Sequence, residues 1–247
     1  NKNPITVFVG QNRSSILALM KKWDILQIPV VEENGKVVHV EFLQGYTNST
    51  KLENPVVLMA GGYGKRLYPL TIDVPKPMLK IGNKPILESI VEQVSDSGFH
   101  NLYISIHYKG DVVKDYFGNG SAWGVDIEYL IEEEPLGTAG AVRLLPEKFE
   151  DLPILLVNGD ILTKVDFRRL LEFHEEQKSQ LTMGVREFDY QVPYGVVEMS
   201  DLSVKTLIEK PVYHFFVNAG IYIFRRQLID EQYTGESVDM TEIVNAQ

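Results

Sequence analysis

From Asn54 onward, short apolar runs rich in β-branched residues alternate with segments of helical period, and this alternation is what most restricts the fold. Residues 55–60, 102–106, 125–131 and 153–157 read as strands. Between them, Pro85 opens a helix with Ile86, Leu87, Ile90, Val91 and Val94 on one face, ended by Gly98. A short helix follows over 112–117, another runs from the 135–140 segment through Leu145, and Asp166 caps a third through Glu176. The pattern predicts an α/β fold: a Rossmann-like mixed, mostly parallel sheet with helices on both faces. Ligands in that architecture bind beyond the carboxyl ends of the strands. Later strand-like runs at 181–186, 195–198, 204–208 and 217–224 have shorter connections. They predict antiparallel additions at one sheet edge that close over the site.

The loop after the first of these strands is the strongest candidate for chemistry. Leu58-Met59-Ala60 runs into Gly61-Gly62-Tyr63-Gly64-Lys65-Arg66-Leu67, and Pro75-Lys76-Pro77-Met78-Leu79 follows. Glycines let backbone N–H groups turn toward an anion, and Lys65 and Arg66 bring charge to the same place. Lys65, Arg66, Lys76, Lys80 and Lys84 face one acid, Asp73, in a chain that is otherwise acidic. The simplest reason for that reversal of sign is an anionic ligand; the alternative is a plain strand-to-helix turn with solvated lysines. Leu67 excludes a Walker A ending, and the glycine spacing differs from the dinucleotide fingerprint.

Lys and Arg number 24 against 34 Asp and Glu, a formal charge of −10 that disfavours general binding to nucleic acid or anionic lipid. No cysteine is present, so there is no disulfide framework or thiolate metal site, and no apolar run reaches the ~20 residues of a membrane span. With no signal-peptide pattern, the expected location is the cytoplasm. At 247 residues the chain is long enough for one large domain or two smaller ones. It begins at Asn1 rather than Met, which points to a piece of a longer protein.

Residues 1–51 read as a separate small α+β unit. A strand over 5–9 is followed by a helix capped by Ser14 and Ser15 that carries Ile16, Leu17, Leu19 and Met20. Ile28-Pro29-Val30-Val31 and Val37-Val38-His39-Val40 then flank an Asn34-Gly35 hairpin turn. Residues 45–53 are polar and read as a linker to the second domain, 52–247. The Leu19-Met20 helix end, the Pro29-Val30-Val31 strand and the Gly35 turn resemble one CBS repeat. That resemblance implies pairing, including pairing of two copies of the chain, and adenine-nucleotide binding. The Thr and Asp of the CBS pattern have no counterpart in Glu41-Phe42-Leu43-Gln44-Gly45, which leaves a purely structural or pairing role equally open.

In the second domain six ordered motifs resemble those of the sugar-1-phosphate nucleotidyltransferases. They are Gly61-Gly62-x-Gly64-x-Arg66-Leu67-x-Pro69-Leu70-Thr71, Pro75-Lys76-Pro77-Met78-Leu79, Glu134-Pro135-Leu136-Gly137-Thr138-Ala139-Gly140, Asn158-Gly159-Asp160, Glu209-Lys210-Pro211 and Val217-Asn218-Ala219-Gly220. The addition of a CBS unit is similar to bacterial glucosamine-1-phosphate guanylyltransferases of nine-carbon (legionaminic acid) sugar biosynthesis. The resemblance implies attack of a sugar-1-phosphate oxygen on the α-phosphorus of a nucleoside triphosphate, with Mg²⁺ as cofactor. GTP and a hexosamine-1-phosphate are the expected pair. UTP, dTTP or mannose-1-phosphate enzymes of the same fold, and a non-catalytic binding subunit, are the alternatives.

The same resemblance implies a role for each matching residue. Arg66 and Lys76 grip the triphosphate, Asp160 holds Mg²⁺, and Asp239 is the second carboxylate or the N-cap of a final helix. Leu58, Ala60, Gly61, Gly62, Gly64, Lys65, Glu132, Gly137 and Thr138 bind the nucleotide, with Glu132 a candidate acceptor for the paired N–H donors of guanine. Tyr194, Gly195, Glu209, Lys210, Asn218 and Gly220 meet the sugar phosphate. Structural alternatives are an Asx-turn at Asp160, a solvated face at 132–134, a Glu209–Lys210 ion pair and a sheet hydrogen bond at Asn218. The connections at 200–203 and 225–235 and the end after Asp239 are shorter than the family pattern, so the sequence is expected to lack some of it.

Overall fold

The structure, a computed structural model, describes residues 4–11, 13–42, 51–230 and 237–246. The first unit comprises β1 (Val7–Phe8), α1 (Arg13–Lys22), β2 (Gln27–Val31) and β3 (Val37–Phe42), in a sheet of order β1-β2-β3. The helix begins at Arg13, so Ser14 and Ser15 lie in its first turn rather than ahead of it. Val7, Ile16, Met20, Ile28 and Val30 form a small core of their own. Much of the expected linker, residues 45–50, lies outside the described residues. Its C-terminal end is not free chain. Leu52 bridges Phe99 in parallel and Asn54 Nδ2 donates to Pro153 O at 2.9 Å, because half-buried Leu52 packs on the main core and carries the backbone to the sheet.

The main body continues with β4 (Val56–Met59), the small pair β5 (Lys80–Ile81) and β6 (Lys84–Pro85), α2 (Ile86–Asp96), β7 (Asn101–Ile106) and α3 (Gly110–Phe117). Then come β8 (Asp126–Ile131), α4 (Gly137–Gly140), β9 (Ile154–Asn158), α5 (Phe167–Glu176), β10 (Leu181–Gln191), β11 (Val196–Ser200), β12 (Ser203–Ile208), β13 (Val212–Phe224), α6 (Gln227–Asp230) and α7 (Met240–Asn245). Six strands form the sheet β10-β13-β9-β4-β7-β8. The pairs β9–β4, β4–β7 and β7–β8 are parallel, while β13 and β10 join antiparallel at one edge, as the sequence pattern predicts.

Side chains on successive strand residues point to opposite faces, and here both faces are covered. Val56, Leu58, Leu102, Ile104, Leu155, Val157, Ile221 and Ile223 pack under α2, α3 and α5. Val57, Tyr103, Ile154, Leu156, Tyr222 and Phe224 pack on the other side with Ala139, Val142, Met240 and Ile243. Each fully buried aliphatic side chain of this kind contributes about 1.5–3 kcal/mol relative to exposure. Asp166 caps α5 as its sequence predicts, its carboxylate accepting from Arg169 N at 3.0 Å.

Three boundaries differ from expectation. The helix toward Leu145 is α-helical only over Gly137–Gly140 and tightens to a 3₁₀ turn over Ala141–Leu144, because Pro146 drives Leu145 to extended backbone, φ −65° and ψ 145°. Helix α3 starts at Gly110 rather than at 112, one residue after Lys109 adopts the left-handed region. The antiparallel ribbon β10–β13 is far longer than 181–186 and 217–224, and β11–β12 form a hairpin of their own. Beyond Val185 the ribbon is exposed on both sides, although Phe188 and Tyr190, which pair with Phe215 and Tyr213 on one face, alternate with Glu187, Asp189 and Gln191.

Candidate active site

The carboxyl ends of β4 and β9 meet, and their glycines are dictated by the approach. Gly159 N donates to Met59 O at 2.9 Å, and a Cβ on Gly159 would lie 2.6 Å from that same oxygen. Only glycine fits, and the residue after it, Asp160, is delivered to the mouth of the sheet. Gly64 takes φ +60°, and a Cβ there would stand 2.9 Å from Thr71 Cγ2 and 3.1 Å from Lys76 Cβ. The loop therefore folds back on itself, with Thr71 Oγ1 donating to Gly64 O at 3.1 Å.

Between these segments lies a cleft of about 560 Å³, within the size of small-molecule sites. Gly61, Gly62, Gly64, Lys65, Arg66, Lys76, Glu132, Gly137, Thr138, Asp160 and Asp239 all line it. Lys76 Nζ is hydrogen-bonded and ion-paired to the Asp160 carboxylate. Asp239 stands at the N-cap position of α7, yet its side chain does not cap that helix. Its Oδ1 accepts instead from Thr138 N at 2.9 Å and Thr138 Oγ1 at 3.1 Å, while Thr138 Oγ1 accepts from Met240 N at 2.8 Å. The same lacing explains Gly137, at φ +80°, where a Cβ would lie 2.4 Å from Val238 O.

Glu132 is not a solvated member of its acidic run: it is only 6% exposed. Ser105 Oγ donates to its Oε1 and Leu136 N donates to its Oε2 at 2.9 Å. A buried carboxylate needs such partners, and these leave lone pairs free toward the cleft. A Cβ on Gly61 would lie 3.2 Å from Oε1, so the glycine-rich loop passes directly over it.

Other expected site residues sit elsewhere. Leu58 is a fully buried core residue and Ala60 is buried with its N–H bonded to Ser105 O, so both support the loop from beneath rather than line the cleft. Tyr194, Gly195, Glu209, Lys210, Asn218 and Gly220 are not part of the cleft lining: the first four flank the β11–β12 hairpin and the last two lie in β13. Tyr194 is 74% exposed, and Lys210 holds a left-handed φ of 48° while its N–H donates to Tyr194 O. Asn218 is held locally, Oδ1 accepting from Gly220 N and Nδ2 donating to Tyr222 Oη. Gly220 packs against Asn158, with an added Cβ 2.4 Å from Asn158 Nδ2. Asn158, Tyr63, Pro77 and Pro135 line the cleft without having been singled out, although each lies inside a quoted motif.

A family model described as Nucleotidyl transferase matches residues 55–245. The chain belongs to that family. Its relatives include a mannose-1-phosphate guanyltransferase of Pichia angusta, 36% identical over 70% of this chain and 50% of its own length. A D-glycero-alpha-D-manno-heptose 1-phosphate guanylyltransferase of Aneurinibacillus thermoaerophilus is 35% identical over 70% and 76%. The solved structure of HddC from Yersinia pseudotuberculosis, complexed with GMP-PN, superposes with a TM-score of 0.59 at 30% identity, covering 75% of this chain and 82% of that one. The chain spans about half the length of the mannose-1-phosphate relatives it matches. Among the described residues no group of three or more His, Cys, Asp or Glu side chains gathers as a metal cluster. Two carboxylates, Asp160 and Asp239, nevertheless line one cleft and are hard oxygen donors of the kind a divalent cation takes.

Proposed function

We propose that this family member is a guanylyltransferase that joins GTP to a sugar 1-phosphate, giving a GDP-sugar and pyrophosphate. A sugar-phosphate oxygen forms a bond to the α-phosphorus as the bond from that phosphorus to the bridging oxygen of pyrophosphate breaks. No proton has to move, so positioning and charge neutralisation supply most of the rate. Arg66 offers a planar fork to two phosphate oxygens, and Lys76 a point charge beside the α-phosphate. Mg²⁺ held by Asp160 and Asp239 would supply further charge on the phosphates.

The observation that carries the choice of base is the buried Glu132 carboxylate under the glycine-rich loop. Guanine presents adjacent N–H donors to such an acceptor, whereas uracil and thymine flank their single N–H with carbonyl oxygens that a carboxylate repels. The guanylyltransferase relatives point the same way. Because those relatives are named for manno-configured substrates, mannose 1-phosphate is the favoured acceptor and glucosamine 1-phosphate its competitor. Sugar-phosphate recognition is assigned to Tyr194, Gly195, Glu209, Lys210, Asn218 and Gly220 on and beside the hairpins. Residues 1–51 are proposed as a CBS-like domain that pairs with a second copy, ahead of the transferase domain at 52–247. Light scattering on the full chain tests the pairing, with a monomer as the outcome against it. The cytoplasm, where GTP and sugar phosphates are available, is the proposed location.

Pyrophosphate release measured with GTP, ATP, UTP and dTTP, each against mannose 1-phosphate and glucosamine 1-phosphate, tests the reaction. Activity confined to UTP or dTTP overturns the guanine assignment. Glu132→Gln is expected to reduce the preference for GTP over UTP about tenfold, the scale of one charge-assisted contact.

A further inference from the structure

Directly after β7 stand His107, Tyr108 and Lys109, none of which belongs to a motif described above, and the structure ties all three to the phosphate-binding loop. His107 Nδ1 lies 2.7 Å from Glu132 O, and a carbonyl oxygen can only accept, so Nδ1 carries the ring proton. In the neutral form of that tautomer Nε2 accepts, and the Tyr63 hydroxyl donates to it at 2.8 Å. Tyr63 belongs to the glycine-rich loop and lines the cleft. Its ring meets His107 edge-on at 5.5 Å and Tyr108 at 5.5 Å, while Lys65 Nζ lies 5.3 Å over its ring. One continuous chain thus runs from the backbone of Glu132 through His107 to the loop.

The far side of the loop is fastened by the next two residues. Tyr108 Oη donates to Ile72 O at 3.3 Å, Lys109 Nζ donates to the same carbonyl, and that ammonium lies 3.7 Å from Asp73 Oδ1. Lys109 does this from φ 52°, a left-handed backbone that a non-glycine residue adopts only when its surroundings require it. Arg66 lies between the two fastenings, and Lys76 follows the second by a few residues.

We infer that His107 and Tyr63 form a positioning pair that holds the glycine-rich loop in its nucleotide-receiving geometry, with Tyr108 and Lys109 fixing the loop's other side. The inference rests on the nucleotidyl-transfer reading. The pair acts through the loop, so its loss loosens the ground state and the transition state of nucleotide binding together. It therefore changes KM more than kcat.

The test titrates the full chain with fluorescently labelled GTP and follows turnover, using Tyr63→Phe, His107→Asn and the double variant. Tyr63→Phe keeps the ring and removes only the hydroxyl, so it leaves the packing in place if His107→Asn folds poorly. It is expected to weaken GTP binding about three- to tenfold, the range for one neutral hydrogen bond, and to raise the GTP KM equally with kcat within about twofold. In the His107→Asn background the same change is expected to have no further effect, since the acceptor is already gone. Wild-type affinity in Tyr63→Phe, or effects that add in the double variant, overturn the inference, as does a lowered Tm with unchanged KM. A wild-type chain that binds none of labelled GTP, ATP, UTP or dTTP would instead overturn the transferase reading itself.

Discussion

The four parallel strands and the antiparallel ribbon belong to one sheet but are built on opposite terms. In β4, β7 and β9 nearly every residue is buried, because helices cover both faces. In β13 only the end that pairs with β9 is buried and in β10 only Thr182, while Phe188, Tyr190, Phe215 and Phe216 of the outer ribbon are exposed. The proposed roles divide along the same line. Residues assigned to phosphate and metal, Arg66, Lys76, Asp160 and Asp239, converge on a cleft at the ends of the packed strands. Most residues assigned to the sugar, Tyr194, Gly195, Glu209 and Lys210, flank the exposed β11–β12 hairpin. Charge neutralisation at a reacting phosphorus demands a rigid frame, whereas recognition of different sugars can be varied on projecting strands.

Stability should separate the two regions most sharply. Leu156→Ala empties part of the packed core and is expected to destabilise by about 2–5 kcal/mol, while Phe188→Ala in the ribbon should change stability by less than about 1 kcal/mol. Paired urea melts check this, and equal losses would erase the distinction. In catalysis, Asp160→Asn is expected to lower kcat by roughly 10²-fold, the effect of removing one key electrostatic group; near-wild-type turnover in saturating Mg²⁺ would remove Asp160 from its role. Lys210→Ala probes the other side. It is expected to raise the KM for the sugar phosphate about tenfold and leave the KM for GTP unchanged, so a rise in the GTP value would break the division of labour.

The smallest expected effect lies where the two regions join. His174 of α5 is buried with Nδ1 2.8 Å from Thr182 Oγ1 of β10, and burial, aided by the Arg225 charge, pushes its pKa below the ordinary histidine value. The unfolded chain then binds a proton that the folded chain refuses, so stability is intact above about pH 6.5 and falls as the pH drops toward the folded pKa. Thermal melts of wild type and His174→Gln across that window check it. The variant curve is expected to be flatter, and parallel curves would count against the linkage.

Much of the packed region was legible in the sequence. The apolar runs at 55–60, 102–106 and 153–157, the face of α2, the Asp166 cap and the glycines at 61, 64 and 159 are local signals, each read within a few residues. The ribbon's full length was not, although Phe188 and Tyr190 alternate with Glu187, Asp189 and Gln191, because its outer half has no buried face to mark where the strands end. The short 3₁₀ ending before Pro146 had a signal, the residue-before-proline rule, that a helical reading through Leu145 passed over.

By itself the sequence determined the α/β alternation, the parallel core and the tight course of the glycine-rich loop, since burial period and glycine geometry act along the chain. Only the tertiary structure decided three things. Asp239 leaves its own helix to bind Thr138, 101 positions away. Glu132 is a buried acceptor rather than part of a solvated acidic run. His107 and Tyr63, 44 positions apart, hold the loop together. Each of these follows from which strand ends the sheet brings side by side, and so depends on contacts that no local stretch of residues contains.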